Sequence, residues 1–203
     1  MQDYSYMQYV ILENLFQYRM TIHGDYAQTL DTKQQDVLRF LPKIFGRGIR
    51  KVILNKSYRN TYEIAQYAAQ ISGITGLELL ERHGRQVDVR RFATEDEMLA
   101  AIASNVNLGT DGYETGAVIT MTEEEAYDIY RLLIKRGVDA AYVDRDSSAF
   151  KRGLTVTTFY LAKGLEFDQV FTIRGTKENP LAEQAEYISA TRALQELYVY
   201  GAE

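Results

Sequence analysis

The sequence predicts an α/β protein with a mainly parallel sheet and helices on both faces. Three observations carry that expectation. Apolar runs of strand length alternate with segments whose apolar residues recur at helical spacing. Three of the helical segments open on a capping signal, a small polar residue followed three positions later by Glu. Strands separated by helices pair in parallel rather than as hairpins, which buries both faces of the sheet.

Taken in order, residues 6–18 predict a helix and residues 19–23 a short strand that ends at Gly24-Asp25. Residues 49–54 form the next apolar run and predict a strand. Asn60 with Glu63 then reads as a capping box, and Ile64, Ala68 and Ile71 share one helical face behind it. Residues 85–92 alternate as a strand. Thr94 with Glu97 opens a helix carrying Leu99, Ile102, Ala103 and Val106. The run 117–121 is apolar enough for a buried strand. Thr122 with Glu125 opens a helix presenting Ala126, Ile129, Tyr130 and Leu133, which Gly137 closes. Strands are expected at 138–143, 154–159 and 169–173, a helix at 181–194 and a last strand at 197–200.

Composition sets the bounds. A chain of 203 residues, 46% apolar and 25% charged, can bury a sizeable core in one or two lobes. Nothing in it approaches the roughly 18 apolar residues of a membrane span, and residues 1–5 lack the charged start and apolar run of a signal peptide. Zero cysteines exclude disulfides and thiolate metal sites and fit a reducing cytoplasm, the expected location. A net charge of −5 opposes coating of nucleic acid by bulk attraction, so any such binding comes from a local groove.

Four short blocks carry the chemistry. In Thr21-Ile-His-Gly24-Asp25-Tyr-Ala-Gln28, a strand runs into a turn at its C-terminal end, where α/β proteins bind ligands. Gln28 could there hydrogen-bond a terminal phosphate or an attacking water, although Gly-Asp alone is most often an ordinary turn. In Asn55-Lys-Ser-Tyr58-Arg59-Asn60-Thr61, Arg59 offers a planar fork of donors suited to phosphate, and Tyr58 a flat face for a nucleobase. The bland reading is a surface arginine beside a core tyrosine. In Thr158-Phe-Tyr160-Leu-Ala-Lys163-Gly164-Leu-Glu166-Phe167, a lysine, a glycine and an acid share one strand-to-strand connection. Gly164 would let backbone approach phosphate or nucleic acid, while Leu165 and Phe167 belong to the core. The fourth block is Glu186-Tyr-Ile-Ser-Ala-Thr191-Arg192-Ala-Leu194, at the end of a helix and before an apolar strand.

In this order the blocks resemble motifs III, IV, V and VI of UvrD/Rep-like superfamily 1 helicases. The resemblance implies the second RecA-like lobe of an ATP-driven DNA helicase or translocase, of the P-loop NTPase type. It implies that Gln28 senses the γ-phosphate, that Tyr58 stacks on adenine and that Arg59 is an arginine finger. Glu166 would hold the ribose hydroxyl of ATP, with Gly164 near the nucleotide, and Arg192 would be a second cation on the γ-phosphate. Thr158 matches a threonine that touches the DNA backbone, with Tyr160 and Lys163 beside it. Tyr160 stands where many members carry histidine.

Other features of the family are missing. No Gly-x-x-x-x-Gly-Lys-Ser/Thr loop is present. The start, Met1-Gln2-Asp3-Tyr4-Ser5, resembles the tail of motif II cut just after its two metal-binding acids, which gives Gln2 a place beside the nucleotide. The expectation is therefore a C-terminal fragment. Residues 1–45 would be a remnant of the first lobe and 46–203 the second lobe, with no large 2B insertion. ATP and Mg²⁺ would both require the missing lobe, so the fragment alone is expected to be inactive. Partners would be that lobe and single-stranded or duplex DNA, with no membrane. The absence of a base-stacking aromatic in residues 29–33 and the Gln-Asp-Tyr-Ser start look more like the helicase-D-like branch associated with RNA polymerase. An ATP-gated protein that remodels RNA polymerase with little unwinding is the rival reading.

Remaining features read blandly. His23 and His83 have no third ligand nearby, so no metal site is expected. Glu123, Glu124 and Glu125 suit the positive end of a helix dipole. Tyr62, Tyr67, Tyr127 and Tyr130 are core or rim residues of helices. Arg82, Arg85, Arg90 and Arg91 form a basic patch that either meets nucleic acid or blunts a sheet edge.

Overall fold

The structure is a computed structural model and describes residues 1–16, 20–30, 37–46, 48–147, 152–175 and 178–203. The chain divides into two compact units, Met1–Asn55 and Lys56–Glu203.

The smaller unit contains helix α1 (Tyr6–Phe16), a 3₁₀ turn at Tyr26–Gln28 and helix α2 (Val37–Phe45). Ser5 starts α1 by giving its backbone N–H and hydroxyl to the Gln8 side chain, at 2.7 and 2.9 Å. Tyr9 is 1% exposed and forms the core with Leu41, backed by Leu12, Ile22, Phe40 and Ile44. Its hydroxyl donates to Met1 O at 2.7 Å. The strand expected at 19–23 is not formed: residues 20–25 run as irregular backbone. A strand needs a neighbour for its N–H and C=O groups, and among the described residues this unit contains none. Arg19, like the last two residues of the helix expected at 6–18, lies outside the described residues.

The strand expected at 49–54 is likewise irregular backbone, with Val52, Ile53 and Leu54 exposed. Its apolar residues mark no ladder because among the described residues no partner strand reaches them; pairing starts at β1 (Lys56–Ser57), which lies parallel to β2 (Glu78–Leu79).

The larger unit is built on a six-stranded sheet, every strand parallel to its neighbours. Its strands are β3 (Asp88–Phe92), β4 (Thr115–Thr120), β5 (Ala140–Tyr142), β6 (Gly153–Thr158), β7 (Phe167–Arg174) and β8 (Ala193–Ala202), in the order β3-β8-β7-β4-β6-β5. Helices α3 (Tyr62–Ser72), α4 (Glu95–Asn105), α5 (Glu123–Lys135) and α6 (Ala182–Ala190) cover it. On one face, α4 and α5 bury Met98, Leu99, Ile102, Ile129 and Leu133 against Val118, Val156, Phe171, Tyr198 and Tyr200. Phe171 and Tyr198, on adjacent strands, stack with ring centroids 4.6 Å apart. The intervening residues of β4, β7 and β8 point the other way, as the two-residue period of a strand requires, and there α3 packs on α6 and β8. Both faces are buried, so the predicted fold class holds.

Local signals decide the helix starts unequally. At α5 the capping box is complete: Thr122 accepts from Glu125 N–H, and Glu125 accepts from Thr122 N–H. Gly137 closes that helix at φ 79°, a left-handed value that suits glycine. At α4, Thr94 accepts from Glu97 N–H, but the Glu97 carboxylate takes Ala93 N–H. At α3 the expected box is absent. The N-cap is Thr61, without a side-chain cap bond, because Asn60 and Glu63 are engaged elsewhere. The last helix ends at Ala190 rather than 194, and β8 starts at Ala193, earlier than expected.

Candidate functional site

The parallel order brings three distant segments of the larger unit to one rim. Strand β6 ends at Thr158, and residues 159–166 return the chain to the start of β7. Strand β8 starts beside β7: Phe167 is paired with Ala193, and Phe167 N–H donates to Arg192 O at 2.9 Å. Helix α3 starts at the same place. Asn60 Nδ2 donates to Ala193 O at 2.6 Å and to Thr191 O at 3.4 Å. The block around Arg59, more than 100 residues before the other two in the chain, therefore meets the blocks around Glu166 and Arg192.

Arg59 Nε lies 2.7 Å from Glu166 Oε1, with both side chains roughly half exposed. A pair this open contributes about 0–1 kcal/mol, so either group can leave the other for a ligand at little cost. Tyr58 is 67% exposed, with its ring open to solvent. Gly164 sits in the returning connection at φ 89°, and a Cβ there would meet nothing within 4 Å. Its glycine serves the backbone conformation rather than crowding.

Arg192 is placed differently. It is 2% exposed, and its guanidinium donates to Ile188 O at 3.1 Å, Leu165 O at 3.2 Å and Thr191 Oγ1 at 3.0 Å. In this conformation it ties the end of α6 to the residue next to Glu166 instead of facing outward. Thr158 is fully buried, and its hydroxyl has no hydrogen-bond partner among the described residues. Tyr160 donates to Glu123 Oε1 at 2.8 Å, and the Arg145 guanidinium lies 5.6 Å from its ring centre. Lys163 is partly buried in the same connection as Gly164.

In the smaller unit, Gln2 and Gln28 converge on Asp25. Gln28 Nε2 donates to Asp25 Oδ2 at 2.8 Å, and Gln2 Oε1 accepts Asp25 N–H at 3.2 Å.

Two residues of the rim escaped the sequence reading. Asn60 looked like a cap and Arg82 like part of a basic patch. Arg82 Nη2 instead donates to Arg59 O and, at 3.0 Å, to Leu194 O. No local pattern marks either role, since the partners lie 23 residues away at Arg59 and 112–133 residues away at residues 191–194. Glu63 is held under the rim by His83 Nδ1 and Gly84 N–H, each at 2.9 Å. Burial raises its carboxyl, but those hydrogen bonds outweigh it and hold the group below its ordinary value.

Two more arginines of the basic patch, Arg85 and Arg90, are engaged in pairs. Arg85 donates to the Tyr198 hydroxyl at 2.7 Å and lies 3.8 Å from Glu196; burial, with Glu196 adding to it, pushes the Tyr198 hydroxyl up to about 12. Arg90 pairs with Asp88 at 2.6 Å.

The donor set fits part of a nucleotide. An exposed guanidinium suits phosphate, a neighbouring carboxylate suits ribose hydroxyls, and the open backbone at Gly164 allows close approach. Among the described residues no group of three or more His, Asp or Glu side chains could hold a metal ion. No helix of the described residues is long and apolar enough to cross a membrane.

No protein-family model matches the sequence, and no curated protein does. Among solved structures, the C-terminal domain of a possible DNA helicase from Lactobacillus plantarum WCFS1 is similar, with a TM-score of 0.53 and 22% identity over 72% of this chain and 88% of that one. Arterivirus nonstructural protein 10 (helicase), solved in complex with DNA, has a TM-score of 0.42 at 13% identity, over 69% of this chain and 30% of that one. The UvsW helicase from Bacteriophage T4 has a TM-score of 0.36 at 8% identity, over 96% and 69%. Only the first is near enough to bear on the architecture. The chain has the RecA-like α/β fold of that helicase C-terminal domain.

Proposed function

We propose that the chain is the ATP-sensing second lobe of a superfamily 1 DNA helicase or translocase. The observation that carries this reading is the meeting of Arg59, Glu166 and Arg192 at one rim, through the 2.7 Å Arg59–Glu166 pair and the 3.2 Å Arg192–Leu165 bond. ATP, when bound, supplies the γ-phosphate whose loss drives the lobes. Arg59 gives its guanidinium to phosphate, and Glu166, released from Arg59, takes the ribose hydroxyls. Tyr58 covers the base. Arg192 serves the γ-phosphate only after leaving Leu165 O; until then it fixes the backbone beside Glu166. In the smaller unit, Gln28 is assigned to sensing the γ-phosphate and Gln2 to nucleotide binding. Thr158, Tyr160 and Lys163 are assigned to the nucleic-acid strand, Thr158 through its backbone.

The test is ATP turnover and nucleotide binding by the full-length protein. Arg59→Ala is expected to lower kcat by roughly 10³-fold or more, as loss of an arginine finger does, while nucleotide affinity changes far less. Equal loss of turnover and binding would count against a finger role.

A further inference from the structure

We infer that Asn60 and Arg82 are positioning residues that lock the Arg59 segment to residues 191–194, so that Arg59, Glu166 and Arg192 move as one body. The inference rests on the nucleotide-site reading above.

The lock is made of side-chain donors on backbone carbonyls of both segments. The Asn60 amide nitrogen spans Ala193 O at 2.6 Å and Thr191 O at 3.4 Å, the carbonyls on either side of Arg192. One guanidinium nitrogen of Arg82 spans Arg59 O and, at 3.0 Å, Leu194 O. The Arg82 carbonyl in turn accepts Tyr62 N–H at 2.8 Å, in the first turn of α3. Arg82 thus holds residues 59–62 at two points.

The strand register explains why such donors are needed here. Phe167 pairs with Ala193, but Gln169 pairs with Glu196, so residues 194 and 195 together oppose Asp168. A bulge of this kind leaves backbone groups outside the ladder, and Arg82 takes the Leu194 carbonyl at this one. Asn60 is 8% exposed, so its unmet amide would be costly to bury. Among the described residues, Arg59 is anchored through its backbone and one exposed ion pair. Its reach toward a phosphate is therefore set by what holds its carbonyl.

The experiment is steady-state ATP turnover by the full-length protein with Asn60→Ala, Arg82→Ala, Arg82→Lys and, as reference, Arg59→Ala. Displacing a reacting group by about 1 Å costs on the order of 10²-fold. We therefore expect N60A and R82A to lower kcat roughly 10- to 100-fold, with KM for ATP within about threefold of wild type. R82K, whose ammonium still reaches the carbonyls, should recover most of the loss. The double variant R59A/R82A should be no slower than R59A alone, because Arg82 acts through Arg59. A thermal melt accompanies each variant. If R82A does not fold, N60A against R82K carries the same comparison.

Wild-type kcat in folded N60A and R82A beside an impaired R59A would overturn the lock and leave the nucleotide reading standing. An unimpaired R59A would remove that reading itself. Multiplying losses in R59A/R82A would also overturn the lock, since Arg82 would then act independently.

Discussion

Two arginines with the same expected role are predicted to respond unequally when truncated, and the sharper case is Arg192→Ala. The buried guanidinium donates to Ile188 O, Leu165 O and Thr191 Oγ1, at 3.0–3.2 Å. A hydrogen bond from a charged group contributes about 1.5–3 kcal/mol, and an acceptor left buried without a partner costs about 1–3 kcal/mol. Against this, the alanine variant no longer loses the ~2 kcal/mol of rotamer freedom that ordering an arginine requires. The contributions are not additive in full, so the net loss is about 3–5 kcal/mol, a large share of a stability of roughly 5–15 kcal/mol. With a urea slope near 2 kcal/mol per M, the midpoint should fall by about 1.5–2.5 M at unchanged slope. Arg59→Ala, which removes an exposed pair, should shift the same transition by less than about 1 kcal/mol. The assay is urea unfolding followed by circular dichroism, with Arg192→Lys as control; lysine keeps the charge but not the fork and should lie between. An R192A midpoint within about 0.5 M of wild type would refute the reasoning, because ΔΔG would then be near 1 kcal/mol and the buried bonds would not hold the α6 end to the residue next to Glu166.

Two further outcomes follow from the same coordinates. Gly164→Ala should destabilise by about 1 kcal/mol, read in the same urea titration, because alanine resists the left-handed φ of 89° even though its methyl group has room; an unchanged midpoint would mean that the connection relaxes to negative φ. The third concerns acid stability. Burial raises the Glu186 carboxyl, but bonds from Arg174 and Tyr67 outweigh it and hold the group below its ordinary 4.5. A depressed carboxyl stabilises the fold above its unfolded value and loses that contribution as pH falls through the lower folded value. The Arg174–Glu186 contribution should thus be intact at neutral pH and decline below about pH 4.5, with Glu186→Gln flattening that decline. Parallel acid-unfolding curves for the two proteins would contradict it.

Much of the fold can be read from local pattern. The α5 capping box depends on residues three apart, and the structure contains it in full. Alternating apolar runs marked the strands of the larger sheet, and their separation by helices marked the parallel pairing. Patterns of this kind fail where the partner is decided elsewhere. Residues 49–54 have strand composition but, among the described residues, no neighbour to pair with, and so they are irregular and exposed.

The site divides the same way. Residue type and the order of the four blocks singled out Arg59, Glu166 and Arg192 as candidates for a nucleotide site. Only the tertiary structure decided which of them face outward. Arg59 and Arg192 are identical side chains, yet one is half exposed and the other is buried and donates to backbone carbonyls. Asn60 abandons its helix cap for carbonyls 131 and 133 residues away, and Arg82 reaches one 112 residues away. Those distances close only when β8 docks on β7 with its register displaced at Asp168, and no segment shorter than the whole sheet contains that information.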